Sequence, residues 1–368
     1  MKVSCIKENL AKGLGIVGRS VGTKVTLPVL SNILLKTEKG GLKLSATDLE
    51  IGIHTWIGAK VDADGAITIP SKILLDYVNT NSDKKITMEL KEANLHLESD
   101  HFKANIKGID AAEFPTIPEV KKKTGIDIVA VDFLRAVGKT LIAVALDESR
   151  PVLSGIYFSI HGDILKMAAT DSYRLAEQEL KLSKKIEEDI SFIVPQRTMA
   201  EILRLLSDAG DKITIFPGEN QVEFSLGETV LVSRLIEGAF PDYQQIIPGK
   251  LTTKMTVVKS EITSAIKMAS LFARESANNI KLKVEAPSKI SVIASSPHLG
   301  DNVSEVSGVV TGEKIEIAFN AKFILDILAV EDSEKIILEF SGGLSPAMLR
   351  GEKHADYFYI IMPLRIED

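Results

Sequence analysis

Several short motifs in this chain carry residue types that can do chemistry, and the first of them is rich in glycine. The stretch from Gly13 to Gly18, GLGIVG, matches the G-x-G-x-x-G pattern of dinucleotide-binding proteins. That pattern works when a strand delivers the glycines to the N-terminus of a helix, where bare amides face a pyrophosphate. Here the glycines follow a helical pattern, so we expect the C-terminal end of a helix. A nucleotide-binding enzyme that uses Gly13 to Gly18 is the alternative.

Other motifs fit their chemistry less well. FLRAVGKT ends like a phosphate loop, but Phe133 takes the place of the first glycine and the whole stretch is predicted to be helical. GLSPA, around Ser345, lacks the second glycine of a nucleophile elbow and has no histidine to partner it. Asp48 and Asp171 follow predicted strands in A-T-D turns, where a carboxylate usually caps the turn. We therefore predict no catalytic residue and no enzymatic activity.

The histidine and cysteine positions argue against a metal centre. His96 and His101 flank Glu98 and Asp100, but alternation along a hairpin distributes these side chains over both faces, which predicts a solvated edge. The six histidines are scattered, and the one cysteine, Cys5, leaves neither an internal disulfide nor a zinc cluster to expect. The sequence predicts no metal and no cofactor.

Length and composition indicate an ordinary globular protein of more than one domain. The chain has 368 residues, of which 45% are hydrophobic and 26% charged. No run approaches the ~20 apolar residues of a membrane span, and charges interrupt the N-terminal stretch MKVSCIKENLAKG, so a cytoplasmic protein without a signal peptide is expected. The net charge of −6 argues against bulk electrostatic binding of nucleic acid, although an average can hide a segregated surface.

The most informative feature is an internal repeat. An apolar start followed by an amphipathic helix occurs three times, as VSCIKENLAKGLGIVG, VDFLRAVGKTLIAVA and VVKSEITSAIKMASLFA. A second helical signature follows each of them, as IPSKILLDYVN, VPQRTMAEILRLLSD and FNAKFILDILAVED. The spacing of about 125 residues predicts three alike domains. We place the boundaries at residues 1–120, 121–249 and 250–368.

The periodicity within one repeat predicts both helices and strands. Val3, Ile6, Leu10, Leu14 and Val17 recur at helical steps, which marks one buried helix face. GAITIP, KITMEL and NLHLES alternate apolar and polar residues, as half-buried antiparallel strands do. The order strand, helix, three strands occurs twice in each domain. We predict an α+β fold in which two helices per domain pack on antiparallel sheets.

Positive charge is concentrated on the first helix of each repeat. With the flanking Lys2, Arg19 and Arg274 included, these three segments carry a net charge of +6, to which Lys139 contributes, whereas the whole chain has −6. If the repeats form an arc with the helices inward, this wall attracts phosphates without reading bases. Phe133 and Phe272 are the only aromatic residues on these helices, and packing is expected of them, so duplex DNA is favoured over single strands.

Five stretches in register resemble one known family. They are LPVLSNILLKTEKGGLKLSATDLEI, RPVLSGIYFSI, ATDSYRLA, EGAFPDYQQIIP and the terminal YIIMPLRI, and together they resemble the bacterial DNA polymerase III β-subunit family of sliding clamps. The resemblance covers the whole chain. It implies a closed ring of two subunits joined head to tail around duplex DNA, which confers processivity on a polymerase. The implied partners are the polymerase III catalytic subunit, the clamp loader and other proteins with a clamp-binding motif.

The resemblance also implies a pocket that captures short linear peptides with apolar anchors. We call this residue set the predicted pocket. It comprises Leu153, Thr170, Ser172, Tyr173, Arg174, Leu175, Pro241, Gln245, Ile246, Pro346, Ile360, Met362, Pro363, Leu364 and Arg365. Met and Leu side chains would supply an adaptable apolar floor, and Thr170 and Arg174 would fix polar atoms of the peptide. The sequence departs from the family at Gln245, where many relatives have a basic residue, and at the final Glu367 and Asp368.

The resemblance implies a DNA-contacting residue, and the large apolar side chains of Leu271 and Phe272 suggest a dimer interface. Lys24 and, more weakly, Arg150 are the DNA-contacting candidates, with a solvated lysine as the alternative for Lys24. The candidates for the dimer interface are the pair Leu271 and Phe272 on one side and the pair Phe102 and Ile106 on the other, with core packing as their alternative. A scaffold that binds peptides but no DNA is the second competing hypothesis for the whole chain.

Overall fold

The computed structural model describes residues 1–21, 27–120, 124–147, 149–206 and 212–365. The chain divides into two compact units. The first contains Met1–Val131 and Glu201–Leu235, and the second contains Asp132–Ala200 and Ile236–Asp368. Each unit therefore combines parts of two successive repeats.

The helices lie where the repeated signatures predict them. Within the described ranges they are α1 (Lys7–Val17), α2 (Ser71–Thr80), α3 (Ala130–Leu141), α4 (Gln196–Leu206), α5 (Lys259–Ala273) and α6 (Ala321–Val330). Helix α1 buries Leu10, Gly13, Leu14 and Val17, which lie on one face of the helix. The predicted helical character of the dinucleotide look-alike and of the phosphate-loop look-alike is confirmed, since GLGIVG ends α1 and FLRAVGKT lies within α3. The glycines of GLGIVG are thus at the wrong end of a helix for a pyrophosphate.

The strand pairings within the described residues are antiparallel. The first repeat contains β1 (Lys2–Ile6), β2 (Asn32–Glu38), β3 (Gly41–Thr47), β4 (Ile51–Ile57), β5 (Ala59–Ala63), β6 (Ala66–Pro70), β7 (Lys85–Lys91), β8 (Asn94–Glu98) and β9 (Lys103–Lys107). The second contains β10 (Ile126–Val129), β11 (Gly155–Thr170), β12 (Arg174–Pro195), β13 (Lys212–Pro217), β14 (Gln221–Leu226) and β15 (Thr229–Arg234). The third contains β16 (Thr253–Val258), β17 (Asn279–Glu285), β18 (Lys289–Ser296), β19 (Gly300–Val306), β20 (Gly308–Gly312), β21 (Ile315–Asn320), β22 (Lys335–Phe340), β23 (Ala347–Gly351) and β24 (Tyr357–Ile361).

The α+β fold is confirmed, but the strand count within a repeat differs from the prediction. In the first and third repeats, four strands rather than three lie between the first helix and the strand that directly precedes the second helix. Gly58 separates β4 from β5 in the first repeat, and Ser307 separates β19 from β20 in the third. In the second repeat the corresponding segments fuse into the long strands β11 and β12, whose pairing contains irregularities around Gly162. Local alternation predicts strands, but it does not say where one strand ends within a continuous extended segment.

Two of the sheets run across the boundary between repeats. In the first unit, β15 of the second repeat pairs with β4 of the first, giving the order β10-β13-β14-β15-β4-β3-β2-β6. In the second unit, β24 of the third repeat pairs with β12 of the second, giving the order β11-β12-β24-β23-β22-β16-β20. The last strand of one repeat is therefore hydrogen-bonded to a strand of the repeat before it. This explains why the compact units do not coincide with the repeats.

Each of the other two sheets ends in an edge strand that corresponds to a junction strand elsewhere in the chain. The sheet β5-β1-β7-β8-β9 belongs to the first unit and has β9 at one edge. The sheet β19-β18-β17-β21 belongs to the second unit and has β19 at one edge. By position in the repeat, β9 corresponds to β15 and β24, and β19 corresponds to β4 and to the start of β12. The open edges are thus the same two strand types that pair at the two junctions.

Candidate functional site

A tight turn between β11 and β12 carries the centre of the predicted pocket. The Thr170 hydroxyl donates a hydrogen bond to the Arg174 carbonyl (2.7 Å) and accepts one from the Ser172 amide (3.1 Å). The Asp171 carboxylate accepts hydrogen bonds from the amides of Tyr173 and Arg174 (2.9 and 3.0 Å). Ser172 adopts a left-handed backbone conformation with φ 78°. The prediction that A-T-D carboxylates cap their turns is confirmed, and the turn leaves the Tyr173 side chain 63% exposed.

Arg174 is buried and fully engaged inside the subunit. Its guanidinium donates to Asp171 (2.8 Å), to Asp326 on α6 and to the Tyr359 hydroxyl (3.3 Å), and it lies over the Phe323 ring. Burial lowers the pKa of Arg174, but these partners outweigh burial and raise the pKa above its ordinary value. Arg174 and the Thr170 hydroxyl therefore build the turn with contacts inside the chain. The sequence-based expectation that they fix polar atoms of a peptide has no support from these contacts, and no local signal in the sequence identifies Asp326 as a partner.

A compact apolar cluster lies beneath the turn. Ala168, Leu175, Tyr243 and Ile360 form its buried part, and Tyr157, Phe240, Ile247 and Phe358 pack against it. Leu175 on β12 is the cross-strand partner of Ile360 on β24. Both side chains are fully buried, so they support the surface of the site from below.

The hydroxyl of Tyr243 anchors the loop that carries several pocket residues. It donates a hydrogen bond to the Glu177 carboxylate. Burial is the main cause that raises the pKa of Tyr243, and the negative Glu177 carboxylate raises it further. The Phe240 ring stacks on Tyr157 with centroids 4.8 Å apart. Pro241 and Gln245 are exposed on this loop, Ile246 is 38% exposed, and the Gln245 amide donates to Asp242 (2.8 Å).

The C-terminal stretch DYFYIIMPLR is fixed by backbone hydrogen bonds on both sides of its proline. Its first part forms β24, the last strand of the third repeat, which pairs with β12 and β23. Beyond it, the Met362 amide donates to the Tyr173 carbonyl (2.8 Å), and the Leu364 amide donates to the Ala318 carbonyl (2.8 Å). Pro363 has no amide hydrogen and lies between these contacts. Met362 is 36% exposed, and its backbone hydrogen bond holds it next to Tyr173.

The structure thus brings most of the predicted pocket onto one part of the second unit. Leu153 is buried in the turn Pro151–Leu153, and Pro346 is half-buried directly before β23, which pairs with β24. Pro363 and Leu364 are half-buried, and Arg365 is exposed. The exposed large apolar side chains of the predicted pocket are those of Tyr173, Ile246 and Met362. Glu367 and Asp368 lie outside the described residues.

The DNA-binding candidates fare differently. Lys24 lies outside the described residues. The Arg150 guanidinium donates to the Ser172 hydroxyl (2.8 Å), so Arg150 contacts the turn of the predicted pocket. Its role in DNA binding stays a prediction.

The dimer candidates divide into exposed and buried side chains. Phe102 is 41% exposed and Leu271 is 47% exposed, while Phe272 is half-buried. Ile106 is 8% exposed on the edge strand β9, where it pairs with Leu95, so its side chain belongs mainly to the core of its own sheet. Of the four, Ile106 has the least surface to offer a partner.

One charge assigned to the basic helix surface is buried. Lys139 on α3 is 1% exposed, and its ammonium donates to the Glu331 carboxylate (2.9 Å) and lies 4.7 Å from the Tyr357 ring centroid. Burial raises the pKa of Glu331, but hydrogen bonds from Lys139 and Ser333 outweigh it and hold that pKa below its ordinary value. Treating Lys139 as part of a solvated basic wall was wrong. The remaining cation of α3, Arg135, lies near Asp332.

The histidine and serine motifs considered as possible reactive groups show no catalytic arrangement among the described residues. The Asp83 carboxylate accepts hydrogen bonds from the ring (2.7 Å) and the amide (2.8 Å) of His101. Ser345 lies in a turn before β23. Across the described ranges, no group of three or more His, Cys, Asp or Glu side chains is arranged to hold a metal ion. In the same ranges, no helix has the length and apolar character needed to cross a bilayer.

Comparison with known proteins identifies relatives over the whole chain. Three models of the DNA polymerase III beta subunit match in order: the N-terminal domain at residues 1–118, the central domain at 128–242 and the C-terminal domain at 244–365. The beta sliding clamp of Synechocystis is 29% identical over 389 residues, covering 100% of both chains. The beta sliding clamp of Staphylococcus aureus is 29% identical over 357 residues, covering 94% of each.

Solved structures with the same fold include several sliding clamps. The DNA polymerase sliding clamp of Bacillus subtilis superposes with a TM-score of 0.96 at 26% identity, with 100% of both chains covered. A sliding clamp of Pseudomonas aeruginosa bound to griselimycin gives a TM-score of 0.95 at 27% identity, again with full coverage of both chains.

Proposed function

Because this chain belongs to the DNA polymerase III beta-subunit family of sliding clamps, we propose that two copies close head to tail into a ring around duplex DNA. The ring tethers the polymerase III catalytic subunit and exchanges it for other partners at the predicted pocket. The clamp loader is among those partners. The ring performs no catalytic step of its own, and it acts in the cytoplasm.

The observation that carries the ring is the repeated strand junction. At the first junction β4 pairs with β15, and at the second β12 pairs with β24. The equivalent third junction would need β19 and β9, and both are edge strands in the single chain. An open edge is a template for another strand. Pairing β19 of one subunit with β9 of the next continues the rule that already operates twice inside the chain.

This junction supports a heterologous contact between subunits. The two edges differ, so each subunit contributes β19 to one of the two contacts in the ring and β9 to the other. Exposed Leu271 on α5 and exposed Phe102 beside β9 would be buried at such a contact. Two subunits of three repeats give six repeats and therefore twelve helices. We propose that these helices line the inside of the ring and face the DNA.

Duplex DNA suits the charge distribution better than a nucleotide ligand does. A closed ring stays on DNA through topology, so its phosphate contacts can be weak and salt-sensitive while it slides. With Lys139 neutralised by Glu331, the helix charge is smaller than the sequence suggests, which agrees with weak contacts. A nucleotide-binding enzyme is disfavoured because Gly13 and Gly15 lie inside α1 and Gly18 caps its C-terminus.

The topological mechanism is tested by loading the protein onto nicked circular DNA with a clamp loader and then linearising the circle. A ring should run off the free ends, and blocking both ends with bound protein should retain it. Retention on open linear DNA would contradict encirclement. A scaffold without DNA function predicts no difference between circular and linear DNA.

Peptide tethering is tested with Met362→Asp and a polymerase-tail peptide. A carboxylate at the exposed Met362 position should weaken binding at least tenfold, because it removes an apolar contact and introduces a charge. Val309→Glu, at a 65% exposed apolar position on β20, is the matched control and should bind normally. Unchanged affinity of the Met362 variant would mean that the site is misplaced.

A further inference from the structure

A second groove lies at the first strand junction, within the first compact unit. We call it the first-junction groove. It has a volume of about 200 Å³. Its lining comprises Thr47, Leu49, Glu50, Gly52, Pro115, Thr116, Ile117, Pro118, Gln221, Val232 and Arg234. The predicted pocket contains none of these residues, and neither do the edge strands β9 and β19 that we assign to the ring contact.

The turn that shapes this groove has the same geometry as the turn of the predicted pocket. The Thr47 hydroxyl donates to the Ile51 carbonyl (2.9 Å) and accepts from the Leu49 amide (3.0 Å). The Asp48 carboxylate accepts from the amides of Glu50 and Ile51 (3.1 and 2.8 Å). Leu49 has φ 78°, the same value as Ser172. A non-glycine residue in this left-handed region is uncommon, so its recurrence shows that both turns are built to one plan.

The strand junction behind the groove is also reproduced. The Arg234 amide donates to the Glu50 carbonyl (3.0 Å), as the Met362 amide donates to the Tyr173 carbonyl (2.8 Å). Val232 is the cross-strand partner of Gly52, as Ile360 is of Leu175. The equivalences are Thr47 with Thr170, Glu50 with Tyr173, Gly52 with Leu175, Val232 with Ile360 and Arg234 with Met362. The backbone that forms a peptide site at one junction is therefore present at the other.

The side chains define a different ligand. An added Cβ at Gly52 would lie 2.6 Å from the Ile117 side chain, so Ile117 fills the space that Leu175 fills at the second junction. Leu49 is 50% exposed and offers an apolar contact. Arg234 is exposed at the place of Met362, which exchanges an apolar contact for a cation. Glu50 on the same rim disfavours a second acid, so the complementary ligand carries a single carboxylate.

We propose that the first-junction groove binds a short extended peptide that places one acidic side chain on Arg234 and an apolar side chain against Leu49 and Ile117. The proposal rests on the proposed function, because the matched turn belongs to the predicted peptide pocket. It assigns the chain a second peptide site with its own sequence preference. Partners that lack a carboxylate at this position would be restricted to the second junction.

Site-directed disulfide tethering tests the groove directly. The native Cys5 is buried, and burial raises the pKa of its thiol to about 12, so a cysteine introduced at the surface reacts selectively. Thr116 is exposed in the groove, so Thr116→Cys is the tethering variant. It is equilibrated with the tripeptides Leu-Asp-Cys and Leu-Asn-Cys, each as a mixed disulfide, under competing thiol. Mass spectrometry measures the ratio of the two conjugates.

We expect the aspartate tripeptide to be favoured by about threefold to fivefold, as for an exposed ion pair, and the preference to decrease with salt. Adding Arg234→Gln should reduce the ratio to about one, whereas Arg19→Gln, at an exposed position outside the groove, should leave it unchanged. A ratio near one without Arg234→Gln, or a preference that persists with it, would overturn the proposal.

A second arm separates the two sites. Adding Met362→Asp to the tethering variant should leave the aspartate preference intact, because that residue belongs to the other junction. If the preference is absent while the polymerase-tail peptide still binds at the predicted pocket, the first-junction groove is not a peptide site and the proposed function stands. If that peptide does not bind but the preference persists, the proposed pocket is wrong and the groove stands.

Discussion

At the residue scale, the buried ion pair between Lys139 and Glu331 is the contact whose loss should cost most. Glu331→Gln removes the carboxylate and leaves an ammonium that is 1% exposed. We expect the free energy of unfolding to fall by about 3–5 kcal/mol, which urea denaturation measures. Glu334→Gln, at an exposed position nearby, is the control and should change it by less than about 0.5 kcal/mol. Adding Lys139→Met should restore much of the loss, because no charge is then left buried.

The same pair predicts a dependence on pH. The folded pKa of Glu331 lies below its ordinary value of 4.5, so the stabilisation is complete above that value and is lost as the pH falls through the folded pKa. The difference in urea midpoint between wild type and Glu331→Gln should therefore shrink in acid. A difference that is constant from pH 7 to about pH 3 would contradict this origin.

His101 should titrate above its ordinary pKa of 6.5, because the Asp83 carboxylate accepts its ring hydrogen bond and attracts its positive charge. The same contacts lower the pKa of Asp83 to about 2. In a titration followed by NMR, Asp83→Asn should return the His101 midpoint toward 6.5, and Asp100→Asn should barely move it. The raised pKa means that this stabilisation is present below pH 6.5 and is lost as the pH rises through the folded value. Asp83→Asn should therefore destabilise more at pH 6 than at pH 9.

What the sequence predicts at this scale depends on how local the contact is. Asp48 and Asp171 cap turns two and three residues away, and the A-T-D pattern is sufficient to predict that. Lys139 and Glu331 are far apart in the chain, and neither neighbourhood indicates that the lysine is buried. A helix charge count therefore fails where a side chain meets a partner from another repeat.

At the scale of elements, two glycines of the dinucleotide look-alike have different structural roles. An added Cβ at Gly13 would lie 2.7 Å from Leu44 and 2.9 Å from Ile57, because α1 approaches the sheet closely there. At Gly15 it would meet nothing within 4 Å. We expect Gly15→Ala to stabilise by up to about 1 kcal/mol through helix propensity, and Gly13→Ala to destabilise by about 1–3 kcal/mol through overpacking. Thermal unfolding of the two variants measures both, and equal effects would show that the close packing is not limiting.

The elements themselves were largely predictable, but their pairing was not. Helical spacing in α1 and alternation in strands such as β17 are local signals. The pairing of β4 with β15 and of β12 with β24 joins segments from different repeats. No periodicity within a strand specifies such a partner, so the sheets that cross the repeats appear only in the structure. The predicted pocket was located by resemblance for the same reason, since its turn and β24 are far apart in sequence.

At the scale of the whole molecule, light scattering should give a mass near twice the 40.0 kDa of the chain. Leu271→Glu with Phe272→Glu should give folded monomers, because it places charges on the apolar end of α5 that we assign to the ring contact. Leu146→Glu is the control, since Leu146 is 77% exposed and lies outside the proposed contact. Circular dichroism checks that the monomer is folded. A dimer that survives both charges would exclude this surface.

The open edges of β9 and β19 also limit which substitutions are compatible with a closed ring. Because the two edges are different, an assembly of any number of subunits still has one unpaired β9 and one unpaired β19. These two edges are paired only when the last subunit contacts the first. Closure therefore depends on the turn accumulated over all junctions, while the affinity of each contact depends only on local strand pairing. A substitution that alters the angle at β4–β15 or β12–β24 without weakening any contact would leave the last edges unmatched. The same subunits would then assemble into an open filament instead of a closed ring.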